Sequence, residues 1–129
     1  MIKLSNITIL IVLLAMLVPQ FAVAAYNPAP ERIVRAALQV KSPPPQTVER
    51  RAWAVCRIFV GRLCRPALNV AWCESGIRPD ARNGQYHGVW QFGYWARTHF
   101  GYGRNVWEQT FAARRYHALA GFRPWECHP

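Results

Sequence analysis

Residues 70–95 read "VAWCESGIRPDARNGQYHGVWQFGYW". The first part can form a helix, and Ser75-Gly76 breaks it. Pro66 suits a first helical turn. Leu68, Ala71 and Trp72 recur at spacings of three and four, which gives one apolar face. These signals predict a helix from Pro66 to Glu74, stopped by Gly76 and Pro79. Asn83-Gly84 is a strong turn signal. Gly88 and Gly93 then bracket "VWQF", residues 89–92, which reads as a short aromatic strand. The chain carries only six acidic residues against sixteen basic ones. One of the six, Glu74, stands between Cys73 and the Ser-Gly break, at the C-terminal end of the predicted helix. The helix dipole there disfavours an ionised carboxylate, and partial burial acts in the same direction.

Outward from this stretch, the pattern is mostly helical. Thr47 is a candidate N-cap for a helix through Phe59, with Trp53, Val55, Cys56 and Phe59 on its buried stripe. A further helix spans Tyr94 to Phe100, "GYGRN" is a loop, and another helix covers Trp107 to Leu119. The stretch "GFRPWECHP", residues 121–129, is irregular. The fold class expected is α+β, mostly helical and small, with one hairpin-like excursion after Glu74. Residues 48–129 form the folded domain.

The N-terminal part differs. Lys3 precedes an apolar run from Ile7 to Val18, and "FAVAA" follows. Ala22 and Ala24 fit the small-x-small pattern of signal peptidase, so residues 1–25 read as a secretory signal with a cut near Ala24 or Ala25. The rival is an uncleaved membrane anchor. The run is short for that, since a spanning helix needs roughly 20 apolar residues. Residues 26–47 read as a Pro-rich tether. "YNPAPE" and "KSPPPQT" bracket a short amphipathic piece, "RIVRAALQV", and such Pro-rich segments act as semi-rigid spacers.

Export decides how the four cysteines are read. In an oxidising compartment Cys56, Cys64, Cys73 and Cys127 make two disulfides. Three pairings are open. The pairing adopted is Cys56 with Cys64, closing a short loop, which leaves Cys73 with Cys127. Zinc fits poorly: there is no CxxC, and His87, His99, His117 and His128 are not at ligand spacing. The formal charge of +10 is carried almost entirely by Arg. It implies attraction to anionic polymers. Inside a cell that would mean nucleic acid; outside, it means an acidic wall or a membrane surface, with most of the arginines individually a solvated face.

A carboxylic acid with a raised pKa is a competent proton donor near neutral pH, as glycosidic cleavage requires. Tyr86, Trp90, Gln91, Phe92 and Trp95 offer ring faces and amides suited to sugars. Trp90 and Phe92 serve equally well as core residues. Other chemistries lack their signatures: there is no phosphate loop ending in GK[ST] and no G-x-S-x-G elbow.

Taken together, Glu74-Ser75-Gly76, the Asn83-Gly84 turn, the Gly88-Val89-Trp90-Gln91-Phe92 segment and "PWEC" at 124–127 resemble the lysozyme-like transglycosylase domain of bacterial wall enzymes. Soluble lytic transglycosylases and resuscitation-promoting factors both carry such a domain. The resemblance covers roughly residues 53–127. It implies a lysozyme-like fold and action on the MurNAc-GlcNAc bond of peptidoglycan. It casts Glu74 as general acid and then general base, and Gln91 as a residue lining the sugar cleft. Ser75 would support the helix end, with Tyr86, Trp90 and Trp95 as further substrate contacts. Trp90 stands where that family often has Leu, Phe or Met.

Glycoside hydrolysis normally uses two carboxylates. The nearby second acid is Asp80, in an "RPDA" turn where a capping role also fits. Glu108 and Glu126 lack motif support. A single acid suits a lytic transglycosylase, in which the C6 hydroxyl of N-acetylmuramic acid closes onto C1 as a 1,6-anhydro product. Hydrolysis with Asp80 is the alternative within the class. Outside it stand a catalytically weak wall-binding module and a cationic membrane-active protein, with a nucleic-acid binder disfavoured by export. The expected partners are peptidoglycan glycan strands and anionic wall polymers, met by a monomer in the cell envelope or outside the cell, with no metal or organic cofactor implied.

Overall fold

The computed structural model describes residues 26–38 and 47–128. The expected signal segment, residues 1–25, lies outside the described residues, as do residues 39–46. The elements are α1 (Glu31–Leu38), α2 (Thr47–Ile58), a 3-10 turn (Gly61–Leu63), α3 (Cys64–Ser75), β1 (Arg82–Asn83), β2 (Tyr86–His87), α4 (Tyr94–Phe100) and α5 (Val106–Ala120). The result is a small, mostly helical α+β fold with one two-stranded antiparallel sheet. Among the described residues no helix is long and apolar enough to cross a membrane.

Helix α2 is the hub, packing against α1, α3 and α5. Its Val55, together with Phe59, Leu68, Val70, Ile77, Val89 and Trp90, fills the centre of the core. The Phe59 ring lies 5.3 Å from that of Trp90 and 5.9 Å from that of Phe122.

Helix α1 corrects the tether reading. Pro30 opens it, and its carbonyl accepts the N–H groups of Ile33 and Val34. Ile33, Val34 and Ala37 recur on one face and are fully buried against the rest of the core. The Ala29 N–H donates to Asn69 Oδ1 on α3 at 3.1 Å. Arg65 pairs with Glu31 at 3.3 Å and Arg32 with Glu49 at 3.1 Å. Residues 29–38 are therefore part of the folded body. The prolines on either side had suggested a spacer, but burial of an apolar face outweighs that local signal.

Two disulfides staple the helices, Cys56–Cys64 and Cys73–Cys127, in the pairing adopted from the sequence. They fit an oxidising environment. The second joins the end of α3 to the segment beyond α5.

Helix α3 ends where expected. Gly76 has φ +63°, a left-handed conformation that suits glycine, and its N–H bonds back to the Trp72 carbonyl at 2.7 Å. The Ile77 N–H reaches the Ala71 carbonyl at 3.2 Å, and the Ile77 side chain is buried beneath the reversal. In the hairpin Asn83 pairs with Tyr86 and Arg82 with His87, with Gly84 and Gln85 at the turn. Residues 89–92 do not form the expected strand. Gly88 and Gln91 take φ of +82° and +44°, which breaks an extended run. Only Phe92 pairs, in an isolated bridge with His87. Helix α5 is capped reciprocally at its entry: Asn105 Oδ1 accepts from the Glu108 N–H at 3.0 Å, and Glu108 Oε2 accepts from the Arg104 N–H at 2.8 Å.

Candidate active site

The last turn of α3 projects Glu74, and three buried groups fix the surrounding loops. Ser75 is the first. Its hydroxyl donates to the Val89 carbonyl at 2.8 Å and accepts from the Arg78 N–H at 3.1 Å, tying the helix end to the segment after the hairpin. Gln109, on α5, is the second. Its Oε1 accepts from the Val89 N–H at 2.8 Å, and its Nε2 donates to the carbonyls of Pro79 and Gly103 at 2.9 Å. One buried amide thus serves three loops. Gly88 is glycine for the same reason, since a Cβ there would lie 2.4 Å from Gln109 Oε1.

The third group is Trp125. It is buried, its indole N–H donates to the Trp90 carbonyl at 2.9 Å, and its ring stacks near Phe92 with centroids 6.0 Å apart. Together with the Cys73–Cys127 bond it anchors the segment after α5 alongside Glu74. The Cys127 N–H donates to Glu74 Oε1 at 3.1 Å.

A cleft of ≈ 300 Å³ opens at this point, lined by Glu74, Asn83, Tyr86, Gln91, Trp125 and Glu126 together with Cys73, Pro124 and Cys127. Burial raises the Glu74 pKa above the ordinary carboxylate value; the Cys127 N–H opposes this, and the charge of Glu126 adds to it. Desolvation disfavours the anion, the hydrogen bond favours it, and a like charge disfavours it. The net result is an acid that keeps its proton to higher pH than a free glutamate.

The expected site residues divide into three groups. Glu74, Tyr86 and Gln91 line one cleft. Gln91 holds its left-handed turn by donating from Nε2 to the Gly88 carbonyl at 2.9 Å. Trp95 lies in an adjoining groove of ≈ 290 Å³ that shares Tyr86, Gln91 and Trp125 with the first. Its half-exposed ring stacks on His99 at 4.3 Å. Two expectations are corrected. Trp90 is 1 % exposed and its indole N–H donates to Thr110 Oγ1 at 3.2 Å, so it belongs to the core and cannot meet a ligand. Asp80 sits exposed in the turn after Pro79 and is not among the residues lining the Glu74 cleft. Ser75 is buried and acts on backbone, as a brace.

Glu126, Asn83, Trp125 and Gln109 were not singled out from the sequence as site residues. For Glu126 a signal existed. "CE" at 73–74 and "EC" at 126–127 are joined cysteine to cysteine, so the disulfide brings the two glutamates together. All four cysteines are in disulfides, and among the described residues no group of three or more His, Cys, Asp or Glu is placed to hold a metal ion. No family model, curated protein or solved structure matches the chain.

Proposed function

We propose that the domain is an exported peptidoglycan-cleaving enzyme of the lytic transglycosylase type, with Glu74 as its acid. The observation that carries this reading is the setting of Glu74. It is a half-buried carboxylic acid with a raised pKa, held by the Cys127 backbone N–H and facing a cleft walled by the Gln91 and Asn83 amides, the Tyr86 phenol and the Trp125 indole. Amides hydrogen-bond sugar hydroxyls, and aromatic faces pack on sugar rings. The two disulfides support action outside the reducing cytosol. The net charge of +10 favours approach to anionic polymers, which outside the cell are those of the wall.

In this reading Glu74 protonates the MurNAc-GlcNAc glycosidic oxygen as the bond to C1 breaks. The carboxylate then takes the proton of the MurNAc C6 hydroxyl as that oxygen closes onto C1. General acid–base catalysis of this kind contributes roughly 100- to 10,000-fold, so Glu74→Gln leaves a folded protein with essentially no product. The test is mass spectrometry of peptidoglycan digested by the domain and by Glu74→Gln. Anhydro-muropeptides from the wild type alone support the proposal. Equal release by the variant refutes the role of Glu74, and retention of the glycan without release points to a wall-binding module.

A further inference from the structure

Glu126 is left over by the single-acid mechanism, yet it lines the same cleft as Glu74. It sits between two anchored neighbours, Trp125 through its indole bond to the Trp90 carbonyl and Cys127 through its disulfide and its N–H to Glu74. Its backbone is thereby fixed relative to Glu74. The ion pairs among the described residues engage Glu31 and Glu49, and none engages Glu126. Its side chain is exposed, in contact with solvent, whereas Glu74 is half-buried. A cleft with one desolvated acid and one hydrated carboxylate has the two environments that separate an acid from a base.

We infer that Glu126 is a second catalytic carboxylate, a general base that delivers water to the anomeric carbon and gives the cleft a hydrolytic branch beside the anhydro one. This rests on the reading of Glu74 as the acid. Both branches start alike, with Glu74 giving its proton to the leaving oxygen as the C1–O bond breaks. In the anhydro branch the C6 oxygen bonds to C1 and its proton returns to Glu74. In the hydrolytic branch a water oxygen bonds to C1 and the water proton passes to Glu126. Glu126 then releases that proton to solvent, and Glu74 recovers one from solvent. No oxidant, reductant or metal enters either balance. Asp80 cannot take this part, because it lies outside the cleft.

The experiment digests purified peptidoglycan with the wild type, Glu126→Gln and Glu74→Gln, and quantifies reducing-end and anhydro products against pH. The wild type is expected to release both. Glu126→Gln should lower the yield of reducing ends relative to anhydro ends by roughly 100-fold, the scale of one general base. Its alkaline activity limb should also move to lower pH, because removing a neighbouring negative charge lets Glu74 ionise more easily. The limb shift follows from the charge alone, whereas a merely structural role for Glu126 would leave the product ratio unmoved. An unchanged product ratio in Glu126→Gln, or a wild type that makes anhydro ends alone, overturns the proposal. Release of both products by Glu74→Gln, or no product from the wild type, overturns the reading beneath it and the proposal with it.

Discussion

Removing the Cys73–Cys127 cross-link should cost the domain more than removing Cys56–Cys64. The two cross-links close chain segments of very different length, with sequence separations of 54 and 8. On the chain-entropy relation, the longer closure stabilises by about 4 kcal/mol and the shorter by about 2.5 kcal/mol. For a domain of this size each kcal/mol moves the melting temperature by roughly 4–8 °C. Cys73→Ala/Cys127→Ala should therefore melt roughly 15–30 °C below the wild type, and Cys56→Ala/Cys64→Ala roughly 10–20 °C below it. The first loss should be the larger for a local reason too, because the cross-link pins the residue 127 backbone N–H that holds Glu74. The assay is thermal melting followed by circular dichroism, with all three proteins in the same oxidising buffer. If the two double variants melt together, or the short-loop variant melts lower, the long cross-link is not what holds the segment after α5, and the account of how the cleft is walled fails.

Two further outcomes are expected. Ile33→Ala empties a fully buried position on α1 and should cost about 2–5 kcal/mol in a denaturant titration; no change would return residues 31–38 to the role of a spacer. Glu74→Gln should gain stability over the wild type as pH rises, because the native state holds the Glu74 proton more tightly than the unfolded chain, so wild-type stability falls from the ordinary carboxylate value of 4.5 up through the raised one. Denaturation midpoints measured from about pH 4 to about pH 8 check this, and parallel curves for the two proteins would show that the carboxyl is not perturbed.

What was legible in the sequence was what short-range physics controls. Pro66, Gly76 and the spacing of Leu68, Ala71 and Trp72 located α3 closely, since helix entry, exit and apolar face are encoded within a dozen residues. The Asn83-Gly84 turn, α4 and the body of α5 were legible for the same reason. Three features were not. The α1 segment lies between prolines, and nothing local shows that Ile33 and Val34 find a core to enter. Val89 and Trp90 are buried side by side, so no in-out alternation marked Trp90 as interior, and its aromatic ring looked as suitable for a sugar as for the core. Gln109 looks like any polar residue on a helix, since its three partners come from loops 6 to 30 residues away. In the site, the helix end marked Glu74 as an unusual acid, while the roles of Glu74, Gln91 and Tyr86 came from the resemblance to transglycosylase domains and not from spacing alone. Glu126 was passed over because the resemblance gives the acid of "PWEC" no role, although its tie through Cys127 was already implied by the cysteine pairing.

That tie also sets an order of assembly during biosynthesis. The helix that carries Glu74 is complete once residue 75 has been made, but the wall facing it is supplied by residues 124–127. A nascent chain halted before Cys127 has the acid without the opposite wall or the N–H that grips it, and a full chain kept in a reducing compartment has that N–H without the cross-link that seats it. Oxidation is thus the closing step of maturation for this site. A cell producing the protein keeps an unfinished cleft wherever its thiols stay reduced.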